Sequence, residues 1–248
     1  MRTEPDSYTA RASPQPIALP EEAPVPDSFP SLPARLYLLA WDTTGRSPGC
    51  DTRLDHLVRA GALAELAGRG LLVDVAGTAT PRDLDAHSGD PVLDGLLELV
   101  AESWPRAWES WVTRYAGVTL DAVRAQLAAA GVLRAGSRRV FGLFRSAQYE
   151  LERAQTVETL QRQAHRTLTG PVPVAEVSEQ DAALAALTAA AGLRTVVSPA
   201  DGDRHRERIE ALTERGSGAV PALERVLHGL RTTASGPGAA ATPTRVRG

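Results

Sequence analysis

The sequence predicts a mainly α-helical protein with small β-hairpin elements. Apolar residues recur at helical spacing through most of the chain after residue 31, and 43% of the 248 residues are hydrophobic, which is enough for a sizeable core. Two of the helical segments stop at a glycine and continue into a short β-prone run. The length alone permits one large domain or two small ones.

The segment around which the chain is organised covers residues 54–74. Its apolar residues form one face of a predicted helix, and the polar residues that fall largely outside this face are Arg53, Asp55, His56, Arg59 and Glu65. Gly68 or Gly70 ends the helix in the manner of a left-handed C-terminal cap, and residues 71–75 predict a short strand. A near repeat of this unit covers residues 120–133.

Composition divides the chain into a leader, one domain and a tail. Residues 1–30 are rich in proline and acid and predict a disordered leader. Ser31 is a suitable cap for the first helix, and Pro33 is suited to its first turn. Residues 232–248 predict a frayed tail, so a single domain is expected over residues 31–231.

Further helices and one hairpin complete the predicted domain. Four aromatic residues at spacings of four, three and four predict a core-facing stripe, namely Trp104, Trp108, Trp111 and Tyr115. Gly136 and Ser137, between two β-prone runs, predict a hairpin. Periodicity predicts the remaining helices over residues 88–102, 119–130, 156–168, 178–191, 203–215 and 220–231.

Charge and cysteine content limit the function classes. The formal net charge of −3 gives no overall attraction to nucleic acid or an anionic membrane, so any anion site must be local. All 27 residues in the lysine and arginine count are arginine, which reflects either a high-GC coding bias or a preference for the phosphate-binding guanidinium. The single cysteine, Cys50, excludes an internal disulfide and favours the cytoplasm. The sequence contains neither a membrane-spanning run nor a signal segment.

The sequence contains no catalytic motif, so we expect a non-enzymatic protein without a cofactor or metal. The five histidines are scattered, and no Walker loop, zinc-protease or nucleophile-elbow motif occurs. Helix capping explains Asp201 and Asp203. Cys50 precedes a predicted helix whose N-terminus lowers a thiol pKa, but a loop cysteine without a role explains it equally simply.

Two arginine groups suggest contact with a membrane. Arg59 lies on the central helix, and Arg138 and Arg139 stand beside the apolar part of the hairpin, which comprises Val140, Phe141, Leu143 and Phe144. A guanidinium holds phosphate while apolar residues enter the bilayer interface, so a peripheral protein on anionic phospholipid is predicted. In the alternative interpretation the phenylalanines fill the core and the arginines form a solvated edge.

Two further alternatives remain open. The helix and β units, with Arg134, Arg138 and Arg139, are compatible with a winged-helix nucleic-acid-binding protein, although neither candidate recognition helix is basic. The alanine-rich face of residues 178–191 permits close packing with a second copy of the chain.

Five segments in order resemble the Golgi phosphoprotein 3 family, in its actinobacterial branch, over roughly residues 32–230. They are the run ending in Ala40-Trp41-Asp42, the stretch from Arg59 to Asp74, Gly89-Asp-Pro-Val-Leu-Asp94, Gly131-Val-Leu133 and Phe141-Gly-Leu-Phe144. The resemblance implies a central helix bundle ringed by amphipathic helices. It also implies a peripheral adaptor that binds phosphatidylinositol 4-phosphate on the cytoplasmic face of a membrane, with a protein cargo as partner.

The resemblance also implies a headgroup site. In the family, the pocket uses a tryptophan before the central helix, an arginine within it and two basic residues that open a later helix, beside a hairpin that enters the bilayer. Arg59 matches the helix arginine, Cys50 takes the place of the tryptophan, and Gly117 and Leu120 take the places of the basic pair. The expectation is therefore a simpler anion site, formed by Arg59 with Arg114, Arg124 or Arg138.

Overall fold

The computed structural model describes residues 30–43, 47–48, 53–140, 144–216 and 218–234. The leader predicted over residues 1–30 and the tail predicted over residues 232–248 lie almost entirely outside these ranges, so they stay predictions.

The described residues form a mainly helical domain with three small antiparallel sheets, which confirms the predicted fold class. The helices are α1 (Leu32–Leu39), α2 (Leu54–Gly68), α3 (Pro91–Ala101), α4 (Trp108–Thr113), α5 (Ala116–Ala129), α6 (Ala154–Thr169), α7 (Glu179–Ala190), α8 (Pro199–Arg204), α9 (Arg206–Arg215) and α10 (Val220–Ala234). The strands are β1 (Trp41–Asp42) with β2 (Ser47–Pro48), β3 (Leu72–Val75) with β4 (Thr78–Pro81) and β5 (Arg106–Ala107), and β6 (Leu133–Val140) with β7 (Phe144–Leu151).

Helix α2 is the centre of the domain. It packs against α1, α3, α4, α5, α7 and α10, and every residue from His56 to Leu66 is buried. The prediction of a single apolar face was therefore wrong, because the polar side chains of His56, Arg59 and Glu65 are buried as well. A helix with neighbours on all sides has no solvent-facing stripe.

A buried carboxylate joins α2 to the start of α1. One oxygen of Glu65 accepts the peptide N–H of Leu32 at 2.7 Å, and the other accepts the guanidinium of Arg69. Leu32 is the first residue of α1, whose N-terminal N–H groups need acceptors and favour negative charge. The buried carboxylate therefore satisfies this helix end, and the partly exposed guanidinium of Arg69 compensates its charge.

Two glycine stops confirm the predicted repeat of helix and strand. Gly70 has a φ of 70°, and the N–H of Leu71 donates to the carbonyl of Leu66 at 2.9 Å. Gly131 has a φ of 65° after α5, where the N–H of Val132 donates to the carbonyl of Leu127 at 2.9 Å. Both helices thus end in the left-handed cap that favours glycine, and β3 and β6 follow them.

The aromatic stripe is half confirmed. Trp108 and Trp111 are buried, whereas Trp104 is 83% exposed and Tyr115 is 60% exposed. Helix α4 extends only over Trp108–Thr113, so the helical spacing does not continue to the two outer aromatic residues.

Two other boundaries differ from the sequence prediction. Gly136 and Ser137 do not form the turn of the hairpin, because they lie within β6 and pair with Gln148 and Ala147. The last pair of the ladder is instead Val140 with Phe144.

The helix predicted over residues 203–215 is divided at His205 into α8 and α9. Ser198 caps α8, because its hydroxyl accepts the N–H of Asp201 at 3.1 Å. The helix therefore begins after the cap at Ser198, before the start at residue 203 that the charged residues suggested.

We expect Gly61→Ala to lower the free energy of unfolding by about 1–3 kcal/mol, as overpacking does. A Cβ at Gly61 lies 2.5 Å from Cδ1 of Leu36 and 3.2 Å from Cα of Pro33, so α1 and α2 must separate. The matched control is Gly95→Ala in α3, where a Cβ meets nothing within 4 Å. This control is expected to raise stability by about 0.5–1 kcal/mol. Urea denaturation measures both, and equal effects contradict the close approach of the two helices.

Candidate functional site

Arg59 is buried within the domain, and its guanidinium is incompletely paired. Its side chain is 0% exposed, and Nη2 donates to the carbonyl oxygen of Tyr115. Within the described residues, Nε and Nη1 have no hydrogen-bond partner, and no carboxylate forms an ion pair with Arg59. The central helix therefore presents a cation with two unused donor atoms.

Burial makes this charge unfavourable. Loss of contact with water lowers the pKa of Arg59 to about 10. This lowering of the pKa means that the buried site disfavours the charged guanidinium by a few kcal/mol, on the order of 1.4 kcal/mol for each pKa unit. The guanidinium still carries its proton at neutral pH, so the unfavourable charge persists there.

The N-terminus of α5 lies directly beside Arg59. Tyr115 precedes the helix with φ 54° and ψ 26°, a left-handed conformation that is uncommon for a residue other than glycine. Within the described chain, α5 has neither a side-chain cap nor an acidic residue in its first turn. The positive end of the helix and the guanidinium of Arg59 are thus neighbours, and both favour an anion.

A second arginine lies on the outer side of Tyr115. The guanidinium carbon of Arg114 is 5.6 Å from the centre of the Tyr115 ring. Arg114 and the Tyr115 ring are exposed, whereas the Tyr115 carbonyl contacts buried Arg59. The structure therefore brings Arg59 and Arg114 to the same residue from opposite sides.

Arg124 has a different environment. Its guanidinium carbon is 5.7 Å from the ring centre of Tyr37 in α1 and 5.5 Å from that of Tyr149 in β7. It also forms an ion pair with Asp121 at 3.3 Å. Burial raises the pKa of Tyr37, and the neighbouring charge of Arg124 opposes this rise. Arg124 thus attaches the hairpin to the helical core.

The predicted hairpin is confirmed at the level of the backbone. Strands β6 and β7 pair antiparallel over eight positions each, with Arg138 opposite Ser146, Arg139 opposite Arg145 and Val140 opposite Phe144. Phe141 and Leu143 lie outside the described residues, as does Cys50. The proposed roles of these side chains therefore stay predictions.

The resemblance places the family's basic pair on or near Gly117 and Leu120, and neither of these two residues carries a charge. Gly117 is exposed in the first turn of α5, and Leu120 is buried in the next turn. Sequence analysis missed the part played by Tyr115, because its spacing from Trp111 predicted a core residue. No sequence signal indicates a left-handed tyrosine here.

His56 lies one turn before Arg59 on α2 and is also buried. Burial lowers the pKa of His56, and the charge of Arg53 acts in the same direction, whereas Asp55 opposes them. Its Nδ1 has no partner within the described chain. The folded protein therefore favours a neutral histidine at this position.

The described residues contain neither a metal-binding cluster nor a membrane-spanning helix. No group of three histidine, cysteine, aspartate or glutamate side chains is arranged to hold a metal ion there. Of the described helices, none combines the length and apolar character needed to cross a bilayer.

We expect stability to fall between pH 7 and pH 5 because of His56. Its folded-state pKa is below 6.5, so below pH 6.5 the unfolded chain binds a proton that the folded chain excludes. His56→Gln should flatten this part of the pH profile. Urea denaturation at pH 7 and pH 5.5 measures the effect. An unchanged slope in His56→Gln contradicts the assignment.

Arg124→Gln should loosen the hairpin without unfolding the domain. The substitution removes two stacking contacts, each worth about 0.5–2 kcal/mol. We expect faster amide exchange over residues 133–136 and 149–151. Arg134→Gln is the control, because its partners Glu150 and Glu152 are solvent-accessible and such pairs contribute only about 0–1 kcal/mol. Equal exchange in the two variants contradicts an anchoring role for Arg124.

Comparison with known proteins identifies the family. The sequence profile of the family described as Golgi phosphoprotein 3 (GPP34) matches residues 32–229. This range begins at the first residue of α1, ends within α10, and includes α2, the start of α5 and the hairpin. A search of curated proteins returns no match. On the match over most of its length, the chain belongs to the Golgi phosphoprotein 3 family.

Proposed function

We propose that this chain is a non-enzymatic peripheral membrane protein that binds the headgroup of an anionic phospholipid, of the phosphatidylinositol 4-phosphate type. The observation that carries the proposal is the buried guanidinium of Arg59, which has two unpartnered donor atoms beside the N-terminus of α5. Family membership is consistent with this function.

A phosphate compensates for the unfavourable electrostatics of this region. The charge of Arg59 is paired with a neutral carbonyl, and the adjacent helix end adds a partial positive charge. Phosphate accepts charge-assisted hydrogen bonds from a guanidinium and from the free N–H groups of a helix N-terminus. A single phosphate can therefore accept hydrogen bonds from both Arg59 and the first turn of α5.

Access to Arg59 requires movement of the segment that covers it. Because the side chain is 0% exposed and donates to the Tyr115 carbonyl, we infer that the peptide of Tyr115 moves aside to admit a phosphate. In our proposal, a phosphate oxygen replaces the Tyr115 carbonyl as the acceptor. The left-handed φ of 54° at Tyr115 helps this exchange, because a more common backbone conformation becomes available on opening.

The hairpin is long enough to reach the same membrane surface. Tyr149 pairs with Ala135 and lies against Arg124, near the middle of α5. From Ala135 to Val140 a strand spans about 17 Å, whereas from Arg124 back to Ala116 the helix spans about 12 Å. A hairpin that continues beside α5 brings its tip to the level of the helix N-terminus. Val140, Phe141, Leu143 and Phe144 then enter the interface, and Arg138 and Arg139 meet phosphates.

In this proposal the protein works in the cytoplasm, at the inner face of a membrane. Its partners are the anionic lipid and either a protein cargo or a second copy of the chain, as expected of an adaptor. Cys50 belongs to the segment before α2 and is proposed to border the headgroup. A nucleic-acid function is not proposed, since Arg134 is paired with Glu150 and Glu152 and Arg124 is stacked within the fold.

Arg59→Met tests the headgroup site. We expect co-sedimentation with vesicles that contain phosphatidylinositol 4-phosphate or phosphatidylglycerol to weaken at least about tenfold, the effect of losing one charge-assisted contact. Arg162→Met, at an exposed position on α6, removes the same charge and should bind as the wild type does. Binding should also weaken with added salt.

A stability measurement separates lost binding from lost folding. Replacing a buried, unpaired charge with an apolar side chain of similar length should leave the free energy of unfolding unchanged or raise it by up to about 2 kcal/mol. A more stable variant that no longer binds anionic vesicles is the expected result. Equal sedimentation with neutral and anionic vesicles contradicts the proposal, as does full binding by Arg59→Met.

A further inference from the structure

An exposed patch lies at the start of α5, outside the buried guanidinium. It consists of Arg114, Tyr115 and Val118, and we call it the α5 start patch. Tyr115 is 60% exposed and Val118 is 65% exposed. The N–H of Val118 donates to the carbonyl of Tyr115 at 3.0 Å, so a single tight turn fixes the two residues relative to each other.

The chemistry of this patch fits the interface of a lipid bilayer. A tyrosine ring has an apolar body and a polar tip, and such rings concentrate at the level of lipid headgroups. Arg114 lies over that ring and is placed to meet a phosphate, while Val118 is suited to the acyl boundary. Asp121 is the acidic residue of the following turn, and its charge is paired with Arg124.

The position of the patch identifies the membrane as its occupant. The carbonyl of Tyr115 contacts Arg59, so the backbone of the patch is also the cover of the proposed headgroup site. In the proposed function, a phosphate that replaces this carbonyl brings its lipid beside Tyr115 and Val118. We propose that the α5 start patch is a second membrane-contact surface, which inserts Tyr115 and Val118 into the interface beside the bound headgroup.

This inference rests on the proposed function, and a neutral substitution series tests it. On vesicles containing phosphatidylglycerol, Val118→Ser should raise the lipid concentration for half-maximal binding by about threefold or more, and Val118→Leu should lower it. Neither substitution changes the charge, so an effect reports apolar contact. Val172 is the matched control, because it is 49% exposed in the connection between α6 and the turn that packs against α9. Val172→Ser and Val172→Leu should bind as the wild type does.

Hydrogen exchange of the wild-type protein gives a second readout. With anionic vesicles present, amides of residues 112–120 should exchange more slowly, while those of residues 170–178 should not change. Slower exchange over residues 112–120 at rising protein concentration without vesicles assigns the patch to a contact between copies of the chain, and overturns the proposal.

The outcomes separate this inference from the headgroup proposal. If the wild type sediments with anionic vesicles and Val118→Ser sediments equally well, the α5 start patch is not a membrane contact, and the headgroup proposal stands. If Arg59→Met binds anionic vesicles as the wild type does while Val118→Ser binds more weakly, the α5 start patch is a membrane contact, and the proposal of a headgroup site at Arg59 is wrong. If the wild type does not sediment with any anionic vesicle, both are overturned.

Discussion

The unpaired charge of Arg59 is the constraint on which the candidate site depends. It lies on a helix that neighbours cover on every side, where water cannot solvate it. Its acceptor is a neutral carbonyl at the positive end of another helix. Because burial and the helix dipole both disfavour a cation there, an anion is the ligand that relieves the two effects together.

The same helix shows how a buried charge is satisfied when it serves structure alone. Glu65 lies six residues after Arg59 and is also buried, but both of its oxygens have partners, in Leu32 and Arg69. Arg35 on α1 is likewise buried and pairs with Asp181 of α7 at 2.6 Å. The contrast within one core indicates that Arg59 is not simply another structural ion pair. Arg35 also has an unpartnered Nε, but Asp181 compensates its charge, whereas no described carboxylate pairs with Arg59. The missing counter-charge requires a different explanation, and ligand binding provides one.

The sequence predicted the parts of the fold that depend on local chemistry. Gly70 and Gly131 mark the ends of α2 and α5 because few residues other than glycine adopt a positive φ easily. The pairing of β6 with β7 followed from β-prone runs. For the candidate site, Arg59 was singled out from the sequence, and the structure adds where it points.

Other features depended on tertiary context and were not predictable from local patterns. The burial of His56, Arg59 and Glu65 results from helices that pack around α2, and one helix's periodicity cannot reveal a second covered face. The exposure of Tyr115 results from the break between α4 and α5, a backbone event without a glycine or proline to mark it. The sequence prediction placed the turn of the hairpin at Gly136, which in fact lies within β6. A glycine weakens a strand, but this effect is small compared with the hydrogen bonds of the whole β6–β7 ladder.

Helix α5 is the element that relates the parts of the site to one another. Its first turn adjoins Arg59, its middle holds the hairpin through Arg124, and its glycine stop leads into β6. A single helix of 14 residues therefore sets the spacing between the buried cation, the exposed patch and the hairpin. The direction of α5 does not depend on the charge of its first two turns. Uncharged residues such as Gly117 and Leu120 are therefore tolerated there. In the proposed function, binding therefore depends on Arg59, the helix end and the surrounding apolar surface rather than on a basic pair.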